Sequence, residues 1–265
     1  MDSPRIKVFT RSFDLKLYRY ASGLLQELGY PLVRLTDQSA DGYFLTMLRD
    51  TECDIAINVD EDAFVIDPGA IQALVQTVID GGYANAGCPD GGEGLPRDGD
   101  PIVTNPFFNI FDLNRIRAQF DRRQLVRTPE DKEPYYPFFR WLAAHGETLY
   151  LPCERHRDGI STILKDPQGR PLLMHSWFAR FYTLPSLIVH FAQKDVDRQK
   201  ARIDALIREA YALRGLPLPE FGPKDRVAFA TNLLVRWVIK VPQRISRWPR
   251  KLSNKIRRYF RARAR

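Results

Sequence analysis

Ile6-Lys7-Val8-Phe9-Thr10 alternates apolar and polar side chains and reads as a strand. Leu17, Tyr20, Ala21, Leu24, Leu25 and Leu28 then recur at helical spacing over Leu15 to Leu28, and Gly29 stops that helix as a C-cap. Pro31 to Leu35 is a second strand, Tyr43 to Leu48 a helix, and Asp54 to Val59 a third strand. Asp67-Pro68 supplies an N-cap followed by proline at the first helical position, and Ile71, Leu74, Val75 and Val78 form one apolar face up to Gly81-Gly82. This β-α-β-α-β-α order predicts an α/β fold with a mostly parallel, twisted sheet flanked by helices.

The pattern is less regular further on. Cys88 to Asp100, rich in Gly, Pro and acids, reads as a mobile loop over a site. Pro106 to Phe120 mixes aromatics with a short helix, and a further helix start lies within Thr128 to Ala144. Thr148 to Pro152 reads as a strand, Leu172 to Tyr182 as a second apolar stretch, and Asp197 to Leu213 as an amphipathic helix. Residues 215–223, Gly-Leu-Pro-Leu-Pro-Glu-Phe-Gly-Pro, read as a linker between a body (1–214) and a tail (224–265).

Composition changes this picture at one place. The chain has 265 residues and a net charge of +8, but residues 226–265 hold 13 Lys or Arg and no acid, leaving 27 basic against 32 acidic side chains elsewhere. A basic block on a mildly acidic body points to an anionic partner. After Pro242, Ile245, Trp248, Leu252, Ile256, Tyr259 and Phe260 recur at helix-like intervals among Arg and Lys, the pattern of an amphipathic helix in an anionic membrane interface. A solvated helix packed on the body and an RNA-binding segment are the alternatives; the acidic body and the site below favour the membrane over nucleic acid. Neither a secretory leader nor a spanning segment is read. The three cysteines are odd in number and widely spaced, so no disulfide framework is expected. The expected location is cytoplasmic, peripheral on the inner face of the membrane.

The sharpest chemistry is Ile55-Ala-Ile-Asn-Val-Asp-Glu-Asp-Ala-Phe-Val65, an apolar strand running into Asp60-Glu61-Asp62. Ligands of open α/β sheets bind beyond the carboxyl ends of the strands. Two carboxylates two residues apart there can share a hard cation, Mn²⁺ or Mg²⁺, with phosphate oxygens and water. Alone, Asp-x-Asp is also an ordinary polar turn; the strand before it and the capped helix after it favour the metal.

With Val59-Asp60-Glu61-Asp62 so flanked, the region from Ile6 to Arg180 resembles the glycosyltransferases of the GT-A fold, which use nucleotide-diphosphate sugars. The resemblance implies that Asp60 meets the ribose or metal and that Asp62 binds the metal. It matches Thr10 and Arg11 to the start of the nucleotide pocket and Asp37 to an acid that reads the base. It matches His175, in Leu173-Met-His-Ser-Trp-Phe178, to a late metal ligand; a satisfied histidine beside Trp177 is the alternative. An inverting member uses a carboxylate near a helix start as base, and Thr128 to Tyr136 offers Glu130, Asp131 and Glu133, of which Asp131 is the choice and Glu130 its neighbour. These residues also fit a plain capping cluster, and without a base among them a retaining mechanism gains weight. Asn105 to Phe111, with Asn109, is a further candidate lining for the sugar pocket. The implied donor is a UDP-, GDP- or dTDP-sugar, and the implied acceptor a glycan or a lipid-linked glycan. Two rivals remain: a haloacid-dehalogenase-like phosphatase, disfavoured because Phe64 stands where that family places Thr or Val, and a non-catalytic membrane or RNA adaptor.

Overall fold

A computed structural model describes residues 3–36, 42–92, 94–129, 131, 133–179, 182, 192–236 and 238. The strands are β1 (Ile6–Arg11), β2 (Leu32–Leu35), β3 (Ile55–Val59), β4 (Ala63–Val65), β5 (Asn85–Pro89), β6 (Thr104–Asp112), β7 (Thr148–Tyr150), β8 (Cys153–Arg155), β9 (Thr162–Lys165) and β10 (Pro171–His175). The helices are α1 (Leu15–Leu25), α2 (Gly42–Arg49), α3 (Pro68–Gly81), α4 (Leu113–Gln119), α5 (Tyr136–His145) and α6 (Gln193–Leu213), and residues 223–236 are helical as well, here α7.

Local signals act as the chain suggests. The Asp14 carboxylate caps α1 by accepting from the N–H groups of Lys16 and Leu17, and Gly29 closes the following turn at φ 74°. Asp67 caps α3 by accepting from the Ala70 N–H, and Gly82 ends it at φ 68°. Both glycines lie in the left-handed region, where a side chain costs conformational energy.

The central sheet has the order β2-β1-β3-β6-β5-β7. Pairs β1–β2, β1–β3 and β5–β7 are parallel, whereas β6 runs antiparallel to both β3 and β5. The sheet is therefore mostly parallel with one reversed strand at its middle. Alternation on β1 sends Val8 into one core cluster, with α1 and α3, and Phe9 into the other, with α2, α4 and α5. Helices therefore cover both faces.

A second sheet, order β4-β10-β9-β8, is antiparallel throughout. Its edge strand β4 follows β3 after only three residues, so Asp60, Glu61 and Asp62 form the passage from one sheet to the other. The Asp60 N–H donates to Phe107 O at 2.9 Å and the Ala63 N–H to Asp60 O at 3.0 Å, fixing that corner from both sides.

Residues 215–223 do not bridge a gap. Leu216 and Phe221 pack against the main core, because their apolar side chains find α1 and α6 within reach. Phe221 meets the edges of Tyr20 and Phe229 at centroid distances of 5.0 and 4.9 Å. From α7, Asn232 Oδ1 accepts from the Leu15 N–H at 3.0 Å and Arg236 donates to Asp14 Oδ2 at 2.7 Å. The first part of the basic segment thus lies on the body, beside the start of α1. The periodic stretch after Pro242 lies outside the described residues, among which no helix is long and apolar enough to cross a membrane.

Candidate functional site

The corner after β3 aims successive acids in different directions. Asp60 Oδ2 accepts from Arg11 Nη2 at 3.2 Å, while its Oδ1 is buried with no partner in the protein. Asp62 Oδ1 lies 3.3 Å from His175 Nε2, and its Oδ2 accepts from the Ser176 hydroxyl at 3.2 Å. The register of β10 on β4, His175 opposite Ala63, brings the imidazole to the corner, and the Ser176 N–H locks the alignment by donating to Asp62 O at 2.9 Å. Phe107 stacks on the imidazole at 4.3 Å and Trp177 flanks it at 4.4 Å.

Glu61 faces away, towards α1. One of its oxygens accepts from the Ser12 hydroxyl and from the N–H groups of Phe13 and Asp14, at 2.7 to 2.9 Å. It ties the β1–α1 turn to the acidic corner.

Electrostatics separate the three acids. Burial pushes Asp60 up from the ordinary aspartate value, against the pull of Arg11. Burial also acts on Asp62, but His175, the Ser176 hydrogen bond and Arg11 outweigh it and hold its carboxyl low. Burial and the neighbouring Asp14 push Glu61 up to about 8.

Asp60, Asp62 and His175 line a cavity of about 520 Å³ together with Arg97, Asn105, Glu133 and Tyr135. A smaller cavity of about 150 Å³ adjoins it, lined by Arg11, Asp60, Glu61, Asp62 and Arg236. Arg97 is held at the cavity by Asp90, the fully buried acid just past the end of β5. The Asp90 carboxylate also accepts from Asn105 and from the hydroxyls of Tyr135 and Tyr136, the latter two at 3.1 and 2.8 Å. Arg97 further donates to Glu133 at 3.3 Å and lies 5.5 Å from the Trp177 ring.

Trp177 and Phe178 both have left-handed backbones, φ 58° and 59°. Such strain costs on the order of 1–3 kcal/mol per residue and is tolerated where neighbours fix it. Here the Trp177 indole N–H donates to Thr162 Oγ1 at 2.9 Å, and Arg202 of α6 donates to Trp177 O at 3.2 Å.

Asp60, Asp62, His175 and Arg11 therefore come together. Thr10 does not join them: it is fully buried on β1 and lines neither cavity. Asp37 and Glu130 lie outside the described residues. Asp131 is placed elsewhere, because its carboxylate is consumed by Arg140 at 2.5 Å and by the Thr128 N–H at 2.6 Å. The carboxylate of that segment that reaches the cavity is Glu133. Asn109 is buried between Thr104 and the Asn105 backbone, while Asn105 itself lines the cavity. Phe64, which stands where the phosphatase reading needs Thr or Val, is fully buried in β4.

Sequence reasoning missed Arg97, Tyr135, Trp177 and Arg236. A signal existed for Arg97, the single basic residue of the Gly-rich loop from Cys88 to Asp100.

As ligands for a divalent cation the residues fit in part. Two carboxylates and an imidazole face one cavity, and the buried Asp60 Oδ1 lacks a protein partner. Among the described residues, however, no group of three or more His, Cys, Asp or Glu is gathered to hold a metal unaided. That suits a hard cation completed by phosphate oxygens and water rather than a closed protein cage.

No family model matches the chain, and no curated protein does. Among solved structures, it is similar to the mannosyltransferase PcManGT from Pyrobaculum calidifontis in complex with GDP-Man and Mn²⁺, at 10% identity and a TM-score of 0.40, over 92% of this chain and 84% of that one. It is also similar to a glycosyltransferase involved in glycosylation of the major capsid of PBCV-1, at 11% identity and a TM-score of 0.36, over 56% and 81%. A third is 4-diphosphocytidyl-2C-methyl-D-erythritol synthase from Anaerococcus prevotii, at 9% and 0.37, over 60% and 92%. Likenesses this distant assign no activity, and what those proteins bind is a property of each of them alone.

Proposed function

We propose that the chain is a divalent-metal-dependent glycosyltransferase that takes a sugar from a nucleotide-diphosphate donor and passes it to a glycan or lipid-linked acceptor at a membrane surface. The observation that carries the reading is that Asp60 and Asp62, from the passage between two sheets, line one cavity with His175, whose Nε2 lies 3.3 Å from Asp62 Oδ1.

Asp60, Asp62 and His175 are the residues that would hold Mn²⁺ or Mg²⁺. When bound, such a cation supplies Lewis-acid neutralisation of the departing diphosphate. Asp62 is kept ionised by its surroundings, as a ligand must be. Arg11 screens Asp60 from its neighbour, easing the repulsion between two buried acids. Across the cavity, Arg97 offers a guanidinium fixed by Asp90, suited to donor oxygens. Glu133 takes the role first given to Asp131: it lines the cavity, and as general base it accepts the acceptor hydroxyl's proton in an inverting displacement. The basic segment from Arg226 onward supplies attraction to anionic lipid headgroups.

The test is a thermal shift with UDP, GDP and dTDP, with and without Mn²⁺. Stabilisation by one nucleotide, present only with metal and lost in Asp62→Ala, supports the reading. Stabilisation that ignores metal, or none with any nucleotide, overturns it.

A further inference from the structure

Helix α7 has two unlike faces. Its inner face is docked: Asn232 receives the Leu15 N–H, Phe229 packs on Phe221, and Arg236, with its side chain 9% exposed, pairs with Asp14. The same Arg236 lines the small cavity with Arg11, Asp60, Glu61 and Asp62. Its outer face carries Val227 and Leu234, exposed by 67 and 59% and two helical turns apart, and Val238, just past the range of α7, is exposed by 53%. A stripe of this kind on a helix whose other face is already packed calls for an apolar partner.

The chain itself indicates which partner. Beyond the last described residue, Val238, come 27 more, within a stretch from Arg226 that holds 13 basic side chains and no acid. Apolar residues next to such a charge density match an anionic bilayer, where the headgroups meet the cations and the acyl boundary meets the stripe.

We propose that the outer face of α7 seats on an anionic membrane, and that this seating tightens the donor site through Arg236. The proposal rests on the donor-site reading above. A helix of 14 residues held by one face is marginal on its own, since helices of that length gain most of their stability from packing. A bilayer on the outer face steadies the helix, and with it the guanidinium that forms a wall of the cavity beside Asp60 and Asp62. A diphosphate entering there meets an already ordered cation and loses less conformational entropy on binding. Linkage makes the effect reciprocal: nucleotide must also tighten membrane binding.

The experiment titrates the full chain with the nucleoside diphosphate that shifts its melting most, in Mn²⁺, with no lipid, with neutral vesicles and with vesicles containing phosphatidylserine. We expect anionic vesicles to tighten nucleotide binding at least threefold, neutral vesicles to leave it unchanged, and saturating nucleotide to tighten vesicle co-sedimentation by the same factor. Arg236→Gln should still sediment with anionic vesicles yet lose the gain. Leu234→Asp, which lies on the exposed face and threatens the fold least, should lose both sedimentation and gain. Vesicle binding without any change in nucleotide affinity overturns the coupling, as does a full gain in Arg236→Gln. Absence of vesicle binding overturns the seating. Absence of nucleotide binding in every arm, lipid-free included, overturns the donor-site reading instead.

Discussion

Asp60 and Asp90 stand just past the ends of two strands of one sheet, the first partly buried and the second fully so, and they are treated in opposite ways. Asp90 is saturated: Arg97, Asn105, Tyr135 and Tyr136 supply donors to its two oxygens. Asp60 has one guanidinium and a buried oxygen without a protein partner. Leaving a buried acceptor unpartnered costs about 1–3 kcal/mol, a cost that a partner from outside would offset at Asp60. On the proposed reading, the contrast separates a carboxylate that builds the site from one that would meet the ligand.

The comparison breaks most sharply at Asp62, which lines the same cavity as Asp60 and is the second acid of the proposed metal site. Asp62→Ala should lower transfer on the order of 10³-fold, because several kcal/mol of charge stabilisation go with the metal and each 1.36 kcal/mol is tenfold in rate. Melting should move by no more than a few degrees. Full turnover in the folded variant would make this acid a scaffold residue like Asp90. Asp90→Ala is the mirror case. It removes the acceptor of two tyrosine hydroxyls and one partner of Arg97, which keeps Glu133, so urea denaturation should show a loss of about 1–3 kcal/mol, the cost of leaving buried donors unpaired. In the fraction that remains folded, nucleotide binding should weaken, because Arg97 loses the acid that fixes it, while its dependence on metal should survive.

A smaller effect sharpens the assignment of the base. Glu133→Gln should slow turnover about 10²-fold, at the low end for loss of a general base, while nucleotide affinity holds. Asp131→Asn should leave turnover per folded molecule within about twofold, since its carboxylate serves Arg140 and the Thr128 turn. The reverse pattern would return the base to Asp131.

A further effect is read against pH. Glu61 is raised in the folded state to about 8, from 4.5 when unperturbed. The folded chain therefore holds this proton more tightly than the unfolded chain. The resulting stabilisation is fully present below about pH 4.5 and is lost as pH rises through about 8. Urea midpoints at pH 5.5, 7 and 8.5 should fall more steeply for the native chain than for Glu61→Gln, which cannot ionise. Parallel curves would show that Glu61 does not titrate in that window.

Much of the first half was legible because its information is local. Gly29, Asp67 and Gly82 act where they stand, and the run Ile55 to Val59 is apolar enough to be a central strand wherever its partners lie. The acidic corner followed from those two readings. Strand β6 was not legible. It is buried on both faces between β3 and β5, so its side chains do not alternate, and Pro106 argues against a central strand. That proline is tolerated because it lies beyond the last β3 pair, where the pairing with β5 shifts register. The second sheet escaped for another reason: β4, β8, β9 and β10 are three to five residues long, and β4 meets β10 across more than a hundred residues of chain. Asp131 and Glu133 differ only in where the loop turns, which spacing cannot report.

The passage from β3 to β4 has a mechanical side. Asp60 rides on the end of the central sheet and Asp62 on the start of the small one, so the gap between the two carboxylates is a gauge of how the sheets are set against each other. Side chains such as Phe64 and Leu173, fully buried in the small sheet, act as shims for that gauge. Close-packed interiors transmit a change of one methylene over some distance. Trimming a shim would let the sheets slip and spread the acids, so the chain would lose its grip on a small cation well before it lost its fold.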